Sequence, residues 1–286
     1  MAHPRLSHLT IVSRDSQDSQ TDVIWQQLRL EAEQAYAVAP MLAPLFLDSI
    51  LNQPSFEAAM FHRIATRLKN EVISLSLIVQ AFHRAASDTP EIGLGLRADI
   101  TSVLDRDPAC SRLIEPFLYF KGFHAIQAHR LTHWLWRQHE CDFALYLQSR
   151  SSEVFQTDIH PAAKIGRGIF LDHATGLVVG ATTVIEDDVS LLQDVTLGGT
   201  GKHDGDRHPK VRRGAMIGAG AKILGNIEIG PFARIAAGSV VLNSVEPYTT
   251  VAGVPARPVR VDTSGTDRDV TELLSELAYD SFNYAI

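Results

Sequence analysis

The sequence predicts an α+β chain: an N-terminal all-helical domain followed by a left-handed parallel β-helix of hexapeptide repeats. Three observations carry this. Aliphatic residues recur every six positions, at Ile159, Ile165, Leu171, Leu177, Thr183, Val189 and Val195. After an interruption of ten residues they resume at Val211, Ile217, Ile223, Ile229, Ile235 and Val241. Twelve of these thirteen are Ile, Leu or Val. A helix beats at three and four and a lone strand at two. A period of six fits a solenoid in which each hexapeptide gives a short strand and a turn, three faces closing a coil of about eighteen residues. Such coils stack at about 4.8 Å, the strand spacing of a sheet. Secondly, fifteen of the nineteen glycines lie between residues 156 and 262, where frequent turns call for positive φ. A glycine-rich linker would keep no aliphatic beat. Thirdly, the chain before residue 156 has few glycines and apolar residues at helical spacing.

Residues 1–20, with the polar run Ser13 to Gln20, lack apolar periodicity and read as a mobile extension. Residues 21–155 are the helical domain. Thr21 or Asp22 caps a helix carrying Trp25, Leu28, Ala32 and Ala35, and Ala39 to Pro44 breaks it. Ser55 opens a long helix through Phe56, Met60, Ile64, Leu68 and Val72. Asp88 to Gly95 reads as a loop. Asp107-Pro108 begins a further helical region with Phe117, Phe120, Phe123, Ile126, Trp134 and Leu135, aromatic and aliphatic residues expected in the core. Residues 156–262 are the solenoid. Its open coil edges need covers, the helical domain at one end and Val245 to Val261 at the other. Residues 263–286 form a tail in which Val270 to Tyr279 has the spacing of a short helix.

Bulk properties narrow the function. The 286 residues suffice for two domains. Apolar residues at 45% and charged residues at 21% are ordinary for a globular protein. A net charge of −7 argues against a nucleic-acid partner. No apolar run is long enough to span a membrane, and the N-terminus has no secretory pattern, so a cytoplasmic location is expected. Cys110 and Cys141 allow one disulfide, but two free thiols in a reducing compartment is the preferred reading.

Two places carry chemistry. The interruption from Thr200 or Gly201 to Lys210 is a polar loop thrown from a regular rod, and loops on rigid scaffolds often carry function. A tolerated surface insertion would look the same. Arg207-His208 suits a carboxylate, which a guanidinium binds through two parallel hydrogen bonds. Within the rod, His173 lies two places after a core position, near a corner. Asp158, fifteen residues earlier, falls on a neighbouring coil and an adjacent face. A His–Asp pair serves as a general base with an oriented tautomer, although spacing alone also fits a solvated His and a turn-forming Asp.

The chain resembles the serine O-acetyltransferases of cysteine synthesis, within the hexapeptide-repeat acyltransferase superfamily. The resemblance runs through Asp158-Ile159-His160-Pro161-Ala162-Ala163-Lys164-Ile165-Gly166, Asp172-His173-Ala174-Thr175-Gly176, Thr196-Leu197-Gly198-Gly199-Thr200-Gly201-Lys202, Gly205-Asp206-Arg207-His208-Pro209-Lys210 and Ala252-Gly253-Val254-Pro255-Ala256-Arg257. In the helical half, Asp107-Pro108-Ala109 and Lys121-Gly122-Phe123-His124-Ala125 match too. It implies acetyl transfer from acetyl-CoA to the L-serine hydroxyl, with cysteine as feedback inhibitor. It makes His173 the general base and Asp158 its partner. Asp107 and Asp172 hold the amino group and hydroxyl region, and Arg207, with His208 beside it, takes the carboxylate. CoA is expected in a groove between rods, near Gly199, Ala221 and Ala237, with Lys222 at its phosphates. No metal is required. The family is a hexamer of two trimers with sites between adjacent rods, and its terminal Ile, here Ile286, enters O-acetylserine sulfhydrylase.

Other readings remain at this level. A hexapeptide acetyltransferase could act on a sugar or an antibiotic. A zinc carbonic anhydrase on the same solenoid would need three His ligands, nominally His173, His203 and His208. A third is a non-catalytic scaffold for a partner enzyme.

Overall fold

The computed structural model describes residues 22–201 and 204–261. The expectations for residues 1–20, Lys202, His203 and the whole tail 263–286, Ile286 included, lie outside those residues. The described residues open with eight α-helices: α1 (Val23–Val38), α2 (Ala43–Phe46), α3 (Phe56–Leu68), α4 (Leu75–Asp88), α5 (Glu91–Arg106), α6 (Ile114–Leu118), α7 (Lys121–Arg137) and α8 (Cys141–Phe155). Caps account for the starts of α1 and α3. The Asp22 carboxylate accepts the Trp25 N–H at 3.1 Å, and the Ser55 hydroxyl accepts that of Ala58 at 3.2 Å. Two helix expectations need correction. The helix after Ser55 stops at Leu68, because the Asn70 side chain accepts the N–H groups of Val72 and Ile73 and turns the chain. Val72 is left 80% exposed. Glu91 to Gly95 is helical, not loop. Gly95 is there because α5 packs closely on α7: a Cβ would meet Arg130 Cζ at 2.9 Å.

The solenoid is a left-handed β-helix of hexapeptide repeats with about five turns and three faces. Face A stacks β1 (Thr157–Ile159), β4 (Leu177–Val179), β7 (Thr196–Gly198), β10 (Lys222–Leu224) and β13 (Val240–Val241). Face B stacks β2 (Lys164–Ile165), β5 (Val184–Ile185), β8 (Lys210–Val211) and β11 (Glu228–Ile229). Face C stacks β3 (Phe170–Leu171), β6 (Ser190–Leu191), β9 (Met216–Ile217), β12 (Arg234–Ile235) and β14 (Thr249–Gly253). The antiparallel β15 (Ala256–Val261) pairs with β14 and covers the far edge. Left-handed residues line two corners, as at Asp188 (φ 63°), Gly214 (φ 69°) and Gly220 (φ 70°).

Register corrects the phase of the beat. Ile159 stacks on Val179, not on Leu177, and Ile165 stacks on Ile185, not on Thr183. The chain takes eight residues from Leu171 to Val179, whereas their partners Leu191 and Leu197 are six apart. Two extra residues therefore sit in the turn at Asp172–Gly176. The polar loop adds eight residues, not ten. The beat survives because these strands bury alternate residues. Leu177 and Val179 both point inward, as do Thr183 and Ile185.

The helices close the first coil's open edge with side chains. His133 Nδ1 donates to Pro161 O (2.8 Å), and His129 Nε2 to Ala163 O (3.1 Å). Arg130 donates to Gly166 O (2.9 Å) and Arg106 to Gly168 O (3.1 Å), while Asp99 accepts the Ile169 N–H (3.0 Å). Asp99 is fully buried and Arg130 pairs with it at 2.6 Å. At Gly122 the start of α7 presses on β3: a Cβ there would lie 2.0 Å from Leu171 O.

Candidate active site

The two-residue insertion builds a strained turn. His173 (φ 54°) and Ala174 (φ 62°) are consecutive left-handed residues without glycine's freedom. Ala174 is buried and anchors the turn, while the His173 side chain is 71% exposed. Backbone bonds hold it: Thr175 N–H to His173 O (2.7 Å), Gly176 N–H to Gln156 O (2.9 Å) and Asp194 N–H to Thr175 O (2.7 Å). Lys121 Nζ bridges the Gln156 side chain (2.9 Å) and the Thr175 hydroxyl. Asp172 Oδ2 lies 3.4 Å from His173 Nε2. Burial pushes the Asp172 carboxyl above the ordinary carboxylate range; His173 opposes the shift and Asp107 adds to it. Asp107 ends α5, its carboxylate accepting the Ala109 N–H at 2.8 Å. Asp107, Asp172 and His173 therefore share one corner, where face C turns into face A.

Arg207 and His208 belong to the next corner, where face A turns into face B. His208 is 7% exposed and its ring lies on Gly180, where a Cβ would fall 2.0 Å from Cδ2. Thr182 ties the loop down. Its hydroxyl accepts the N–H groups of Arg207 and His208, each at 3.1 Å, and stands 2.8 Å from His208 Nδ1. Burial, then the Arg207 and Lys210 cations, hold the His208 imidazole below its ordinary pKa. Arg207 makes no ion pair among the described residues; its guanidinium reaches only Gly205 O, at 3.4 Å.

Asp158 points outward from β1 and accepts from Gln148 Nε2 at 2.6 Å. No hydrogen bond joins it to His173 in the protomer. Its charge is felt at His160, whose pKa falls through burial, with Asp158 opposing and Arg207 reinforcing the fall. The predicted residues thus form two groups flanking face A, one around His173 and one around Arg207.

The expected CoA contacts divide. Gly199 underlies Arg207, with a Cβ position 3.3 Å from its Cγ and Cδ, and Ala237 is exposed at a corner. Ala221 requires correction: it is fully buried, because β10 and the residue before it bury alternate positions, so its methyl faces the core. Lys222 is already engaged, its Nζ 2.8 Å from Asp194 Oδ1. His173 and His208 lie at different corners, which separates two ligands of the zinc alternative. Among the described residues no cluster of His, Cys, Asp or Glu is arranged to hold a metal. Cys110 and Cys141 are free thiols. Sequence reasoning missed Thr182, Gly180, Gln148 and Lys121 as site neighbours. Only Lys121 stood within a matched motif; Gly180 and Thr182 become neighbours through register, and Gln148 through the contact of α8 with β1.

Comparison with known proteins points to one family. The family profile described as "Serine acetyltransferase, N-terminal" matches residues 24–128, and the bacterial transferase hexapeptide repeat matches residues 208–243. The chain is 53% identical to serine acetyltransferase of Haemophilus influenzae over 239 residues, covering 84% of this chain and 90% of that protein. It is similar to the crystal structure of serine acetyltransferase from Brucella abortus in complex with coenzyme A, at 60% identity and TM-score 0.83, covering 84% and 96% of the two chains. It is also similar to a serine acetyltransferase in complex with cysteine, at 53% identity and TM-score 0.81, covering 83% and 98%.

Proposed function

The chain belongs to the serine acetyltransferase family, and on that premise we propose roles for its site residues in a reaction at the junction of two protomers. The enzyme transfers acetyl from acetyl-CoA to the hydroxyl of L-serine, giving O-acetyl-L-serine and CoA. The observation that carries the site reading is the exposed His173 on a two-residue insertion in an otherwise regular coil, beside two carboxylates.

A serine hydroxyl is a weak nucleophile at neutral pH. His173 takes its proton as the oxygen attacks the thioester carbonyl, then returns a proton to the departing thiolate. Asp158 stabilises the imidazolium; Gln148 bonds its Oδ1, and a carboxylate has a second oxygen to offer the ring. Backbone N–H groups of the glycine-rich corners receive the oxyanion. Asp107 and Asp172 face the ammonium group; a pair of carboxylates suits an amine better than a neutral sugar. Arg207 and His208 take the carboxylate. Cysteine shares these groups with serine and competes for the pocket. CoA lies along the groove past Gly199 and Ala237.

The two groups flank one face rather than meeting across it. A threefold assembly that brings the His173 corner of one protomer against the Arg207 corner of the next completes the site. Exposed apolar side chains at the end of α1 and just beyond, Val38 at 86% and Met41 at 94%, support pairing of two trimers into a hexamer through the helical part. Docking of Ile286 into O-acetylserine sulfhydrylase and a cytoplasmic location complete the proposal; among the described residues no helix is long and apolar enough to cross a membrane. Thiol release from acetyl-CoA with serine, sugar and aminoglycoside acceptors tests the whole reading. Turnover with a sugar and none with serine would overturn it.

A further inference from the structure

Thr182 follows face A by three residues, and nothing in the sequence marks it. Its hydroxyl oxygen receives two N–H donors, from Arg207 and His208. Both lone pairs are then occupied, so the hydroxyl can only donate, either to His208 Nδ1 at 2.8 Å or to the Asp206 carboxylate, which it also bonds. The Thr182 backbone N–H stands 3.2 Å from the same nitrogen and can only donate. Nδ1 is therefore an acceptor, and the ring proton resides on Nε2. Nε2 lies over Gly180, with a Cβ position 2.1 Å away, and has no partner among the described residues.

We propose that Thr182 is a positioning residue that fixes His208 as an uncharged imidazole with its proton on Nε2, so that the loop offers one charged and one neutral donor to the same anionic group. The groups around the ring agree. Burial, Arg207, Lys210 and His160 all oppose a second proton, and only Asp206 favours one. Nδ1 has its lone pair engaged, so His208 has no free base to present. The site then contains one general base, His173, and His208 contributes to binding. Gly180 is needed for the same reason, because any side chain there would displace the ring.

This inference rests on the reading of Arg207 and His208 as the carboxylate pocket, and the test separates the two. Thr182→Val, Thr182→Ser, His208→Gln, His208→Ala and Arg207→Ala are compared in the full-length enzyme for serine KM, cysteine Kd, CoA Kd and melting temperature. Thr182→Val orphans two N–H groups of the loop and is expected to weaken serine and cysteine binding on the order of 10–100-fold, with CoA binding retained. Thr182→Ser restores binding to within about threefold, since the hydroxyl is kept. His208→Gln places an amide N–H near the position of Nε2. It should bind serine at least about tenfold better than His208→Ala, equally at pH 6 and pH 8. A Gln variant as poor as Ala would overturn the proposal, as would unchanged serine affinity in Thr182→Val. If Thr182→Val lowers the melting temperature, the Gln and Ala pair decides. If Arg207→Ala leaves serine affinity unchanged, the pocket reading itself fails. If Arg207→Ala weakens binding and Thr182→Val does not, only the role of Thr182 fails.

Discussion

If each active site takes His173 from one protomer and Arg207 from its neighbour, two crippled proteins should repair one another. The perturbation is a pair of single variants, His173→Ala and Arg207→Ala, differently tagged, co-expressed and purified through both tags. His173→Ala alone should lose on the order of 10²–10⁴-fold in turnover, the span of general base catalysis. Arg207→Ala alone should bind serine poorly, so activity is measured at low serine. In a trimer a site is whole when the protomer supplying His173 is the Arg207 variant and the one supplying Arg207 is the His173 variant. Any mixed trimer has one such interface of its three, and a randomly mixed hexamer about one in four, so doubly purified oligomers should recover roughly a quarter to a third of wild-type activity. The proposed shared site leads to this expectation because the two residues occupy different corners of the coil, at the turns that precede and follow face A. Were both supplied by one protomer, every site would contain a defect and nothing would be recovered. Mixed oligomers no more active than their parents would refute the shared site.

Other outcomes follow from single groups. Asp158→Asn should slow turnover less than His173→Ala, measured by thiol release, because it orients rather than transfers a proton. Asp172 has a folded pKa raised above its unfolded value, so its contribution to stability is greatest below the unfolded pKa and falls as pH rises toward the folded one. Asp172→Asn should therefore raise the melting temperature at neutral pH, by an amount that shrinks on acidification, while lowering activity. His124 and His129, buried and neutral, have pKa values pushed down to about 3. Their contribution is full above the unfolded value of 6.5 and is lost as pH falls below it, so chemical denaturation should show stability declining from about pH 6.5 downward. Arg130→Ala leaves Asp99 buried without its partner and should cost about 3–5 kcal/mol in the same experiment. Deleting Ile286 should weaken sulfhydrylase binding by at least about tenfold in calorimetry, one buried Ile contributing roughly 1.5–3 kcal/mol, with acetyl transfer unchanged.

Much of the fold was legible because a period of six has few structural solutions. Its phase was not, since strands that bury alternate residues keep an aliphatic beat in either alignment. The same ambiguity misplaced Ala221, which sits two residues before Ile223 and points inward with it. The segment Glu91–Gly95, expected as loop, is helical, and its Gly95 makes room for Arg130 on α7. At the site, His173, Asp172 and Arg207 stood out as polar interruptions in motifs. Thr182 did not, since its contact with His208 depends on how many residues the loop inserts between adjacent coils.

The double alignment has a wider meaning for how such a rod acquires chemistry. In a helix an insertion of two residues turns every later side chain by about 200°, onto the wrong surface. Here a shift of two exchanges one inward position for another: after the His173 turn the beat moves from the Ile159 column to the Leu177 column, and both are lined with aliphatic or small residues. The solenoid behaves like a text that can be read in either of two frames. A catalytic turn can be spliced into such a lattice without rewriting what lies downstream, and the cost stays local, in the two left-handed residues that carry the imidazole.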